Sequence, residues 1–111
     1  MTNKQFYELW AAAQEDGNRD AFVSDWSLSS LFLDPEDPDQ EPSAELIEQI
    51  GKIWDVAHMT VKDLRAVTGL SQVAFAQRFC VPRRTIENWE KGSCPDYTRL
   101  MLAQILGVID R

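Results

Sequence analysis

The amino-acid sequence predicts an all-α fold on three observations. Apolar residues recur at three- and four-residue spacing, cap residues and glycines punctuate them at helical intervals, and the strict alternation that marks a half-buried strand is absent. With 111 residues the chain suffices for one compact domain, or one small domain with an accessory segment, and is too short for a large two-domain enzyme. Apolar residues at 44% and charged residues at 26% provide for a packed core and exclude wholesale disorder. No apolar run reaches the length of a membrane span, and the first residues lack the basic start and apolar stretch of a secretory signal, so the expectation is a soluble, cytoplasmic protein with no membrane partner.

The first helix is expected from about 3 to 16, with Asn3 as N-cap, Phe6, Leu9, Trp10 and Ala13 on one face, and Gly17 as the stop. A second helical segment opens near Asn18 and carries Ala21, Phe22 and Trp26, with Leu28, Leu31, Phe32 and Leu33 prolonging the apolar face. Together, residues 1–33 read as a helical hairpin too small to be stable alone. Residues 34–43 alternate prolines with carboxylates and read as an acidic linker, extended by like charges and stiffened by proline. That run is either a solvated spacer or a competitor that shields a basic face when nucleic acid is absent.

Residues 44–111 are expected to form the main domain. Ser43 caps a helix whose Leu46, Ile47, Ile50, Ile53, Trp54 and Ala57 line one face, with Glu45, Glu48 and Lys52 on the other. Thr60 and Asp63 make a capping-box start, and Gly69 with Leu70 a C-terminal stop. Ser71 caps a short helix with Ala74, Phe75 and Phe79 inward; Cys80 and Val81 then lead into Pro82, which begins a helix from Pro82 to Lys91 with Ile86 and Trp89 inward and Gly92 as its end. A last helix from Asp96 to about Leu106 carries Leu100, Met101, Ala103, Ile105 and Leu106.

Charge is divided unevenly along the chain. The net charge of −7 argues against a nucleic-acid partner, since affinity for phosphate comes from Lys and Arg releasing condensed counterions. Yet residues 1–59 hold three basic groups against thirteen carboxylates, a balance of −10, while residues 60–111 hold eight basic groups against five acidic ones, a balance of +3. The second part must therefore be judged separately. Cys80, Cys94 and the single histidine, His58, cannot assemble a four-ligand zinc site, and no metal or other cofactor is expected. The two thiols read as a core and a loop cysteine without a disulfide, and His58 as a surface or helix-end residue. Ser71 has no histidine partner and no strained elbow around it, so it reads as a cap, and no catalytic grouping marks an enzyme.

Two short helices joined by a three- or four-residue turn, the second carrying Arg83, Arg84 and Asn88 on its outer face, can place a helix in a major groove about 12 Å wide. The run from Gly69 to Gly92, above all Leu70-Ser-Gln, Phe75-Ala and Thr85-Ile-Glu-Asn-Trp-Glu-Lys-Gly92, resembles the helix-turn-helix of the phage repressor and Cro family, also called the xenobiotic response element family. The likeness covers about 60 to 107. It implies a lambda-repressor-like domain at the C-terminus, preceded by a small acidic helical segment, and a sequence-specific double-stranded DNA-binding transcriptional regulator.

Position by position, the resemblance implies that Gln72 bonds a backbone phosphate and buttresses the reading helix. It makes Arg83 and Arg84 the first base readers, Thr85 a phosphate or base contact, Asn88 a second-turn base contact and Lys91 a phosphate contact. Arginine grips guanine O6 and N7 bidentately, so the bound site is expected to be rich in G where Arg83 and Arg84 reach. Cys80 stands where this family usually has glycine, so its backbone either avoids positive φ or accepts strain of about 1 kcal/mol. One recognition helix buries too little for tight binding, which points to a homodimer. The stripes Phe6 to Ala13 and Phe22 to Phe32 are candidates for the dimer or partner surface, or for core against the Ser43 helix. Two rival readings share the scaffold: an antitoxin whose acidic N-terminal half neutralises a basic toxin, and a protein-interaction adaptor that binds no DNA.

Overall fold

The computed structural model describes residues 1–110, which are all-helical, with seven α-helices and no strand among them. The chain forms two compact units that divide between His58 and Met59.

In the first unit, α1 spans Asn3–Glu15, α2 Arg19–Ser27 and α3 Ala44–Ala57. Thr2, rather than Asn3, caps α1. Its hydroxyl accepts from the Gln5 amide while the Gln5 side chain accepts from the Thr2 amide, a reciprocal box that satisfies two donors where Asn3 could satisfy one. Asn18 caps α2 and Ser43 caps α3 through the same kind of bond.

The division differs from the expected one. Helix α3, expected in the C-terminal domain, packs on both α1 and α2 and belongs to the first unit. The physical reason is the apolar stripe of the hairpin. Phe6, Leu9, Ala13 and Phe22 need a third surface to leave water, and Ile50, Ile53, Val56 and Ala57 of α3 supply it; all are buried. Polar ties reinforce this packing: the Trp54 indole donates to the Asp16 carbonyl at 2.8 Å, and His58, stacked on Trp54, meets the Ala13 carbonyl at 2.8 Å.

The acidic stretch joins two parts of this one unit instead of holding two domains apart. It is folded into tight turns in which Asp34 and Asp37 side chains accept from the backbone two residues on, closed by Gln40 accepting from the Asp34 amide. Residues Leu28 to Leu33 form turns rather than a continuation of α2, and Leu28 is exposed.

The second unit contains α4 (Val61–Thr68), α5 (Gln72–Phe79), α6 (Arg83–Asn88) and α7 (Asp96–Ile105). The Thr60–Asp63 capping box, the Gly69 stop and the Ser71 cap form as expected. Its core is Val61, Leu64, Phe75, Ala76, Ile86, Leu102, Ala103 and Ile109. Phe79 is half-buried, its ring edge-on to Phe75 at 4.9 Å. On α7 the buried residues are Leu102 and Ala103, while Met101 and Ile105 face solvent. Both thiols are free: Cys80 is exposed, and burial holds the half-buried Cys94 above the ordinary thiol range. Among the described residues no helix is long and apolar enough to cross a membrane.

Three helices of this unit end on a left-handed residue: α4 on Gly69, α5 on Cys80 and α7 beside Gly107. At α5 and α7 the same closure follows, with the Val81 amide bonding the Ala76 carbonyl and the Val108 amide the Ala103 carbonyl. Only Cys80, at φ +55°, meets this geometry with a β-carbon, at a cost of about 1 kcal/mol. Its side chain is exposed, so little packing offsets that cost. Cys80→Gly is therefore expected to stabilise the unit by about 0.5–1 kcal/mol, and Cys80→Val, branched at the β-carbon, to destabilise it by about 1–2 kcal/mol. Urea unfolding of the three proteins reads both shifts; equal midpoints would remove the strain argument.

Candidate nucleic-acid interface

Helices α5 and α6 are joined by Cys80, Val81 and Pro82, a three-residue turn set by the left-handed cysteine and by proline. Pro82 precedes the helix as its N-cap, with φ −61° and ψ 144°, and Arg83 is the first helical residue. Regular α-helix ends at Asn88, not Lys91. A wider π-type turn follows over Trp89–Ser93, broken by Gly92 at φ +104°, and the Ser93 hydroxyl donates to the Asn88 carbonyl at 2.8 Å. The expected helix from Pro82 to Lys91 is thus shorter at both ends, because proline's extended ψ lies outside helical geometry and the hydrogen-bond ladder widens to π-type spacing from Trp89.

Ile86 is fully buried and anchors α6. Trp89, expected in the core, is half-buried where the π-type turn begins. Arg83, Arg84 and Asn88 are exposed and Thr85 is half-buried. Arg83 pairs with Glu87 one turn on, its Nε 3.2 Å from Oε1. Lys91 lies exposed in the π-type turn. The structure thus brings Arg83, Arg84, Thr85 and Asn88 onto one short helix with Lys91 just beyond it.

Gln72 is placed differently, at the first turn of α5 and half-buried. Its amide donates to Glu90 Oε2 at 2.7 Å, and the other oxygen of Glu90 accepts from Arg65 Nε. A second Arg65 donor, NH1, reaches the Leu70 carbonyl at 3.0 Å. One carboxylate therefore ties α4, the start of α5 and the end of the recognition segment together. The Glu90 side chain is 9% exposed and that of Arg65 20%. Burial alone would raise the Glu90 pKa, but hydrogen bonds from Arg65 and Gln72 and the charges of Arg65 and Lys62 outweigh burial and hold it below the ordinary glutamate value.

Neither Arg65 nor Glu90 emerged as a site residue from the sequence. The available signal was Glu90 standing one turn beyond the inward Ile86, where a carboxylate requires a cation. Among the described residues no group of His, Cys, Asp or Glu is arranged to hold a metal ion.

Comparison with known families finds a helix-turn-helix match over residues 61–108, which is the whole of α4 to α7 with the turn after it. Comparison with curated proteins and with solved structures gives no match. The fold of α4 to α7, the three-residue turn and this match agree: residues 61–108 are similar to the Cro/C1-type helix-turn-helix family of DNA-binding regulators.

Proposed function

We propose that the chain is a sequence-specific transcriptional regulator that lays α6 in the major groove of duplex DNA. The observation that carries this reading is the two-sidedness of α6: Ile86 is sealed in the core while Arg84 and Asn88 stand in solvent on the opposite side, with Arg83 exposed at the helix start. Two cations in the first turn of a helix work against its dipole, so helix stability does not account for them, whereas guanine edges and phosphates do. In this reading Arg83 and Arg84 grip guanine, Asn88 adenine, Thr85 a phosphate or base, and Lys91 a phosphate. Gln72 acts through Glu90 as a buttress.

Two half-sites are needed for tight operator binding, so the regulator works as a homodimer. Of the hairpin stripes expected in that role, Phe6, Leu9, Ala13 and Phe22 are core residues of the first unit. Among the apolar side chains that the C-terminal unit leaves exposed, Tyr97, Met101 and Ile105 lie one turn apart on α7, while Val67 and Val73 stand singly on α4 and α5. Equal spacing on either side of Met101 suits pairing with a second copy about a two-fold axis.

Selection of bound duplexes from a random pool at stated salt, with a mass measurement of the complex, tests the reading. A G-containing, two-fold symmetric consensus is expected; recovery of random sequence would refute it. Lys91→Ala is expected to weaken all duplexes alike and to flatten the slope of log K against log salt by about 1. The acidic balance of the first unit favours an antitoxin role as a second reading, in which that unit binds a basic toxin; co-purification of a basic partner tests it.

A further inference from the structure

Glu87 is the residue of α6 that the DNA reading leaves without a task. It is acidic, its side chain is 41% exposed, and it flanks the face that would meet a polyanion. Side chains turn by about 100° per residue along a helix. With Ile86 buried, Arg84 lies near the middle of the outward face, and Glu87 and Asn88 flank it on either side; Arg83 lies further round, beside Glu87.

Ordinary helix stabilisation does not explain the Arg83–Glu87 pair. Its cation is in the first turn and its carboxylate in the last turn of a six-residue helix, each at the end the helix dipole disfavours. The order Arg before Glu at four-residue spacing is also the less favourable one.

We infer that Glu87 is a specificity-determining residue: its carboxylate orients Arg83 toward a guanine and accepts from the N4 amino group of a cytosine within one base-pair step of it. This inference rests on the DNA reading proposed above. The pair geometry supports it, because Glu87 engages Arg83 through Nε and leaves the two terminal nitrogens of the guanidinium to grip O6 and N7. Cytosine N4 is the donor that a carboxylate recognises in the major groove; guanine and thymine offer no donor there, and adenine sets the acceptor N7 beside its N6 amino group, where it repels the carboxylate. The same charge discourages non-specific binding, so selectivity is gained at the expense of affinity.

Selection from a random duplex pool with the full-length wild type, Glu87→Ala and Glu87→Gln distinguishes the outcomes. Wild type is expected to select a cytosine next to the guanine position that Arg83→Ala relaxes. In Glu87→Ala the cytosine preference should fall by about 5- to 150-fold, while binding to random duplex at low salt tightens by about 3- to 10-fold. In Glu87→Gln the preference should move toward adenine, which glutamine reads bidentately, a change that a merely structural role would not produce. A cytosine preference that persists in both variants overturns the inference and leaves the DNA reading intact. A wild type that selects no consensus overturns both. Circular dichroism of each variant confirms that the exposed substitution leaves the fold in place.

Discussion

Glu90→Ala is expected to destabilise the C-terminal unit by about 2–4 kcal/mol, enough to leave it marginal, since about fifty residues carry on the order of 5 kcal/mol in total. Removing the carboxylate strands the Arg65 guanidinium with one remaining acceptor, the Leu70 carbonyl, and leaves the Gln72 amide unpaired. Exposure decides the magnitude. The Arg19–Asp55 pair of the first unit, with both side chains nearly half exposed, is worth about 0–1 kcal/mol, whereas the Arg65–Glu90 pair is largely screened from solvent. The urea midpoint should fall with an unchanged slope, and Glu90→Gln, which keeps an acceptor, should lose about half as much.

The pH dependence has a definite sign. Because the folded Glu90 pKa is depressed, its contribution is present above the unfolded glutamate value of about 4.3 and is lost as pH falls through the folded value. The gap between wild type and Glu90→Gln should therefore be widest near neutrality and close below about pH 4. A gap that stays constant from pH 7 to pH 3 would contradict the assignment of charge to Glu90.

Arg84→Ala is expected to relax base preference at one position by about 1–3 kcal/mol, roughly 5- to 150-fold, and Arg83→Ala at a different position by an amount nearer the lower end of that range. Arg84 should show the larger effect, because it lies near the middle of the outward face and makes no ion pair among the described residues, whereas Arg83 is engaged with Glu87. Both side chains are exposed, so neither substitution should move the unfolding midpoint by more than about 0.5 kcal/mol. Selection profiles read the preference, and unchanged profiles for both variants would remove arginine from base reading.

Much of the C-terminal unit was legible because its signals are local. Thr60 with Asp63, Gly69 and Ser71 are cap residues whose geometry involves neighbours three residues away, and each formed as the spacing predicts. The outward placement of Arg84 and Asn88 was legible for the same reason, since it follows from helical period once Ile86 is turned inward, whereas Arg83 is exposed because it opens the helix. Two errors were also local. Pro82 serves equally well as an N-cap or as a first helical residue, and spacing does not choose between them. The π-type turn at Trp89–Ser93 inserts a residue into the period, so patterns read beyond Asn88 in strict helical steps drift out of register.

Other features depend on segments that meet only in three dimensions. Helix α3 has an apolar face that fits a core on either side of it in sequence; its partners turned out to be α1 and α2, because their buried stripes required a third helix. The amino-acid sequence alone determined an all-helical chain, its cap residues, the acidic and basic halves, and the helix-turn-helix with its arginines facing outward. Tertiary structure alone decided which unit claims α3, that Gln72 is bonded to Glu90, and that Arg65 completes that site from 25 residues away. Periodicity and capping act over one or two turns, while a buried charge is satisfied by whichever distant group the fold delivers to it.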